Sequence, residues 1–210
     1  MSAPLDSELA PEPSAPDDAP PLRHRWTYVE MMVSSMLSLV ASLVLAIDAV
    51  VLAANPFAEL TCNVSAKISC ATVGLSWQAH VLGFPNAFLG LIFEPIVITI
   101  AVASLGGVRF PRWFMLGAQA LYLIAIGFAY WLFLQAYFVI GALCPWCLLV
   151  TVTTTLVFVS LTRVNILDGT IRLPGGLHRR VCRALALGAD SAVAVIIIAV
   201  LAAMVIARYV

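Results

Sequence analysis

Five stretches of almost unbroken apolar residues, separated by polar segments, dominate this chain. They cover residues 28–54, 86–105, 113–140, 144–161 and 187–207. A helix needs roughly 20 apolar residues to cross a hydrocarbon core about 30 Å thick, and each stretch is near or beyond that length. A soluble helix of similar size would carry a polar face returning every three or four positions. Inside a bilayer every backbone N–H and C=O must be paired within the protein, which selects helices for such runs. The pattern therefore predicts an all-α integral membrane protein with five spans.

Composition agrees. Of the 210 residues 62% are hydrophobic and only 10% charged, against roughly 45 to 50% apolar in an average soluble domain. So few charges cannot coat a soluble surface, and nucleic acid is not an expected partner. The formal net charge of zero conceals an uneven placement. Arg23, Arg25, Arg109, Arg112, Arg163, Arg172, Arg179, Arg180 and Arg183 all fall on one side of the predicted spans, leaving Lys67 and Arg208 on the other. The positive-inside bias puts the arginine-rich side in the cytoplasm, with the N-terminus. Residues 1–22, rich in proline, aspartate and glutamate, read as a disordered cytoplasmic tail without the basic start and short apolar stretch of a secretory signal. The organisation expected is a core over 23–162 with an extracytoplasmic loop at 55–85, a basic cytoplasmic loop at 163–186, and a fifth transmembrane helix at 187–210. The location is the plasma membrane.

This orientation puts four of the five cysteines on the extracytoplasmic face. Cys144-Pro145-Trp146-Cys147 lies where a polar break hands over to the fourth apolar run. Pro145 suits a first helical turn, Cys144 falls at the N-cap, and Cys147 lies near unpaired helix-start amides whose dipoles favour a thiolate. Cys62 and Cys70 sit in the one sizeable outer loop and can close a small ring. Two disulfide-capable pairs in an oxidising compartment suggest a relay. The same four thiols allow a thiolate metal site, although structural zinc usually has C-x-x-C at both ends. Cys182, among Arg179, Arg180 and Arg183, reads as a free reduced thiol across the membrane.

Taken in order, Cys62 and Cys70, Ser76 six positions later, Asn86 and Gly90 opening the second span, and Cys144-Pro145-Trp146-Cys147 opening the fourth resemble the vitamin K epoxide reductase family over about residues 28–162. The likeness is to its bacterial members, which oxidise thioredoxin-like proteins at the expense of a membrane quinone. It implies a four-helix bundle around a quinone site, capped by the outer loop and a short amphipathic helix, with the fifth helix added. It also implies that Cys62 exchanges with the partner, Cys70 passes electrons to Cys144, and Cys147 faces the quinone. Asn86 resembles the group that hydrogen-bonds a quinone carbonyl, its other reading being a helix cap after Pro85. Ser76 caps the loop helix or helps hold the site.

Seven positions after Cys144, where animal members place a tyrosine that grips the quinone, this chain has Thr151. The resemblance implies menaquinone or ubiquinone as acceptor and a separate extracytoplasmic DsbA-like partner. The alternatives are vitamin K epoxide or quinone reduction proper, and a thiolate metal-binding membrane protein. Trp146 and Phe88, with Trp77, Phe84, Tyr122, Phe128, Tyr130 and Trp131, are candidates to line an apolar quinone slot. Asp48 and Glu94 stand inside spans, where an ionisable group is costly and often functional. For Glu94 the readings are a proton path or a neutral acid bonded within the bundle.

Overall fold

A computed structural model describes residues 22–209; the expected disordered tail, apart from Leu22, lies outside the described residues. Among the described residues nine helical elements follow one another: α1 (Leu22–Ala54), α2 (Cys70–Gly74), a 3-10 turn (Trp77–His80), α3 (Ala87–Leu105), α4 (Arg112–Gln135), a π-helical turn (Ala136–Ile140), α5 (Pro145–Leu167), α6 (Gly175–Ala186) and α7 (Ala189–Tyr209). Five are long and apolar enough to span a membrane: Arg25–Ala54, Ala87–Leu105, Arg112–Ile140, Pro145–Leu167 and Ala189–Tyr209. The protein is all-α, as the apolar runs require.

Helix α1 is the hub, packing on both α3 and α5, while α4 closes the bundle against α5. Its inward face is small and polar: Ser35, Ser38 and Ser42 follow the helical period and are buried, as is Ala41. Without a hydrophobic force between helices in lipid, such small residues let backbones approach and gain dispersion contacts. At the tightest point a Cβ added to Gly90 of α3 would fall 2.0 Å from Ser42 Oγ. Outward-facing residues such as Val40, Ile47, Val102 and Leu123 remain exposed, the surface that lipid covers.

The bundle is filled unevenly. Tyr28, Met31, Ile100, Met115, Val157 and Leu161 form a closed core from all four helices in one half. In the other half Leu52, Leu60, Cys62, Cys70 and Cys144 cluster above a cavity of about 390 Å³. Helix α7 packs outside α5. It is fixed at one end by the Arg163–Asp190 ion pair and at the other by Tyr209, whose hydroxyl donates to Ala136 O at 3.1 Å.

Two elements differ from the sequence reading. Helix α1 starts at Leu22, several residues before the apolar run. The segment 163–186, expected as a loop, contains α5's last turn and the whole of α6. Leu177, Val181 and Leu185 recur at every fourth position of α6, Val181 partly and Leu185 fully buried, while Arg179, Arg180 and Arg183 are exposed, an amphipathic pattern obscured by its high charge.

Candidate active site

Cys62 and Cys70 form a disulfide. The loop carrying them is built by local hydrogen bonds. Asn63 Oδ1 accepts from Ser69 Oγ and from the Ala71 amide, both at 3.1 Å, and Ser69 Oγ accepts from the Thr72 amide at 3.2 Å. Ser69 thereby caps α2, and Cys70 becomes its first residue. Such a cap is worth about 1 kcal/mol.

A single parallel bridge between Ile68 and Leu143 ties this loop to the start of α5. The Ser69 amide donates to Leu143 O at 3.0 Å, and the Leu143 amide to Lys67 O at 2.9 Å. One residue beyond those bonds on each strand lies a cysteine. Cys144 Sγ consequently stands 3.2 Å from Cys70 Sγ, both side chains buried. A disulfide bond is about 2.05 Å long, so bridging needs the two sulfurs to close by about 1 Å and no hinge.

Cys144 is the N-cap of α5, and its sulfur accepts from the Cys147 amide at 3.4 Å. The sequence expectation put the helix-start amides near Cys147; the structure gives the Cys147 amide to Cys144 instead, because an N-cap side chain reaches back to the N2 or N3 amide. Standing just before the span, Cys144 is held below the usual thiol range, chiefly by the Cys147 side chain and further by the Cys147 and Trp146 amides, against the opposing effect of burial.

Asn86 is anchored to the 3-10 turn twice. Its amide donates to Ala79 O at 2.9 Å and Nδ2 donates to Gln78 O at 2.7 Å. It makes no side-chain cap bond and has helical backbone angles, so the capping reading fails. Its Oδ1 is buried without a partner and the residue lines the cavity. Ser76 also lines it, but caps nothing; its hydroxyl donates to Val73 O at 2.6 Å. Thr151 lines it too and donates to Cys147 O at 3.0 Å, which occupies its proton and leaves its lone pairs.

Cys70, Cys144 and Cys147 open on this same cavity, as do Tyr122 and Phe128. Trp146 and Phe88 do not. Asn86 and, on α3, the lining residues Ala87, Leu89, Gly90, Phe93 and Glu94 keep to one side of the helix, and Phe88 is about 200° of rotation from Asn86. It stacks on Phe84 instead, ring centroids 6.4 Å apart. Trp146 leaves the face of Cys147 and Thr151 similarly and packs against the cysteine cluster. Trp77, Phe84, Tyr130 and Trp131 are also absent from the lining. Trp77 meets Trp131 edge-on at 6.1 Å, helping pin the loop to α4.

Gln78 and Gln135 were not foreseen. Gln78, nearly fully buried, lies 3.4 Å from Gln135 Oε1 through Nε2 and lines the cavity. Asp48 Oδ2 lies 3.8 Å from Cys62 Sγ. Glu94 is buried and receives the Tyr122 hydroxyl at 3.0 Å, so the carboxyl is bonded within the bundle. At the cysteine end Lys67 Nζ reaches Arg208 O at 3.5 Å, so the two basic residues expected outside share one end of the molecule. Cys182 lies apart on α6, 3.5 Å from His178 Nε2.

The arrangement can exchange a disulfide between two adjacent pairs and present the second pair to an apolar cavity. The family model described as the vitamin K epoxide reductase family matches residues 29–162, and no curated protein matches the chain. The matched segment holds both cysteine pairs, Asn86 and the four bundle helices, and the chain belongs to the vitamin K epoxide reductase family, whose members are membrane thiol oxidoreductases that in general use quinones.

Proposed function

We propose that this protein oxidises a separate extracytoplasmic thioredoxin-like protein and passes the electrons to a membrane quinone, so supporting disulfide formation outside the cytoplasm. The observation that carries the reading is the 3.2 Å separation of Cys70 Sγ and Cys144 Sγ at the mouth of a cavity that Cys147 and Asn86 also line. The cysteine face is taken as extracytoplasmic from the arginines at the other ends of the spans.

In this reading a partner thiolate attacks Cys62 Sγ, and the Cys62–Cys70 bond breaks with Cys70 leaving as a thiolate. The partner's second thiol resolves the mixed disulfide and frees Cys62. Cys70 attacks Cys144 of an oxidised Cys144–Cys147 pair, and Cys62 then attacks Cys70 to restore the outer disulfide. Cys144 and Cys147 are left reduced. Phe57 and Val64, both well exposed on the same loop, give a partner an apolar place to dock.

The cavity fits a quinone head: it is largely apolar, of about 390 Å³, and Asn86 on its wall spends one Nδ2 proton on Gln78 O, which leaves its second proton for a quinone carbonyl and its unpaired Oδ1 for a quinol hydroxyl. Ligand sites commonly combine such walls with few polar groups. Asn86, Thr151 and Gln78 would hold the head beside Cys147. A bound quinone supplies a sink for two electrons and two protons. The metal reading is less well supported, since Cys62 and Cys70 are spent on each other and a disulfide sulfur is no thiolate ligand.

The test is purified protein with a reduced thioredoxin-like substrate, with and without menaquinone or ubiquinone. Partner oxidation that needs quinone and is lost in Cys70→Ser, Cys144→Ser and Cys147→Ser supports the reading. Equal oxidation by all three variants rejects it.

A further inference from the structure

Oxidising a dithiol with a quinone moves protons as well as electrons, and the proton of Cys62 must leave before that sulfur can attack. One carboxylate touches it. Asp48, on the last turns of α1, places Oδ2 3.8 Å from Cys62 Sγ, and its carboxylate and the sulfurs of Cys62 and Cys70 all lie within 4.8 Å of one another. The residue is half-buried and lines the cavity shared by Cys144 and Cys147. It therefore borders both the outer disulfide and the space where protons are consumed.

We propose that Asp48 is the catalytic base of the outer cysteine pair, taking the Cys62 proton as the outer disulfide re-forms and delivering it to the cavity. The proposal rests on the relay reading above. In the step, Cys62–SH gives its proton to the Asp48 carboxylate and the Cys62 thiolate attacks Cys70 Sγ of the Cys70–Cys144 bond. The Cys62–Cys70 bond forms, the Cys70–Cys144 bond breaks, and the electron pair stays on Cys144. The proton on Asp48 then moves into the cavity, so that charge does not build up at either sulfur pair.

Placement explains the choice of residue. Cys62 is buried, so bulk water is a poor acceptor for its proton. The other titratable groups bordering Asp48 or the shared cavity are Cys70, Cys144, Cys147, His80, Glu94 and Tyr122. His80 Nδ1 lies 3.4 Å from Ser76 O, and Glu94 is bonded to Tyr122.

The test needs no quinone. In Cys147→Ser the chain holds three relay cysteines and one disulfide, which isomerises between Cys62–Cys70 and Cys70–Cys144. Acid quenching, alkylation and peptide mapping give its rate across pH. The expected rate falls at low pH through a group that titrates below the thiols. Adding Asp48→Asn removes that limb and slows exchange roughly 10²-fold, the lower range for general base catalysis; Asp48→Glu restores it in part. A Cys147→Ser profile showing only thiol titration overturns the proposal even if the Asp48→Asn protein does not fold, and so does an unchanged rate in Asp48→Asn. Quinone-dependent partner oxidation by the unaltered protein is measured in parallel. Its loss rejects the relay itself, whereas its persistence with a normal Asp48→Asn exchange rate rejects only the role of Asp48.

Discussion

The Ser69 amide donates to the carbonyl of Leu143 at 3.0 Å, and this backbone bond, rather than any side chain, brings the two cysteine pairs together. Cys70 and Cys144 each follow it by one residue, one opening α2 and the other capping α5. Because Ser69 also caps α2 through its hydroxyl, the cap and the bridge support each other. Ser69→Ala should remove the hydroxyl's bonds to Asn63 and Thr72, costing about 1 kcal/mol locally. The expected result is a roughly fivefold lower equilibrium yield of Cys70–Cys144 in the Cys147→Ser background, read by peptide mapping, with the thermal transition of the bundle little changed.

Gly90 is required by the approach of α1. A methyl group there would overlap Ser42 Oγ and lie 2.7 Å from its Cβ, a clash with a short side chain that has nowhere to turn. Gly90→Ala should destabilise the bundle by about 1 to 3 kcal/mol. Adding Ser42→Gly, which removes both clashing atoms, should recover most of that loss. Thermal unfolding in detergent measures both, and recovery only in the double variant is the expected signature.

Asn86 lines the cavity and holds the 3-10 turn through one Nδ2 proton, with the second proton unspent and Oδ1 buried and unpaired. Asn86→Ala should raise the quinone KM by about tenfold, the order of one hydrogen bond lost at a buried polar site. The rate of mixed-disulfide formation at Cys62 should be unchanged in quinone-free protein. Steady-state quinone titration and a partner-trapping assay separate the two steps.

Tyr122 and Glu94 form a buried pair between α4 and α3. Tyr122→Phe leaves the Glu94 carboxyl without that donor, whereas Glu94→Gln keeps an acceptor for the tyrosine. Tyr122→Phe should therefore destabilise the protein by about 1 to 3 kcal/mol, and Glu94→Gln by less. Melting temperatures of the two variants give the comparison.

The spans and the Cys144–Cys147 pair were legible in the sequence because both are local: a long apolar run has one fate in a bilayer, and C-x-x-C ahead of such a run sits at a helix start. That Cys62 and Cys70 can close a ring was legible from their place in one outer loop, while the order of the relay came from resemblance. What the sequence concealed depends on rotation or distance along the chain. Phe88 and Trp146 were candidates for the cavity wall as aromatic residues, yet helix geometry turns them away from the face that holds Asn86 and Cys147. The contact of Asp48 with Cys62, the nearness of Gln78 to Gln135 and the Ile68–Leu143 bridge all join residues whose proximity exists only after folding. Helix α6 was hidden by its own arginines, which lower the average hydropathy while leaving the fourfold apolar period intact.

Electron passage from Cys70 to Cys144 is the step on which the account depends. Holding the Cys147→Ser protein with its Cys62–Cys70 disulfide at neutral pH without partner, then quenching in acid, isolates the contact, because the Cys144 thiolate can attack Cys70 and release Cys62 while no Cys147 thiol competes for Cys144. The account predicts a peptide carrying a Cys70–Cys144 disulfide, absent from the Cys70→Ser control. A Cys147→Ser protein that keeps only the Cys62–Cys70 disulfide at every time sampled would contradict it.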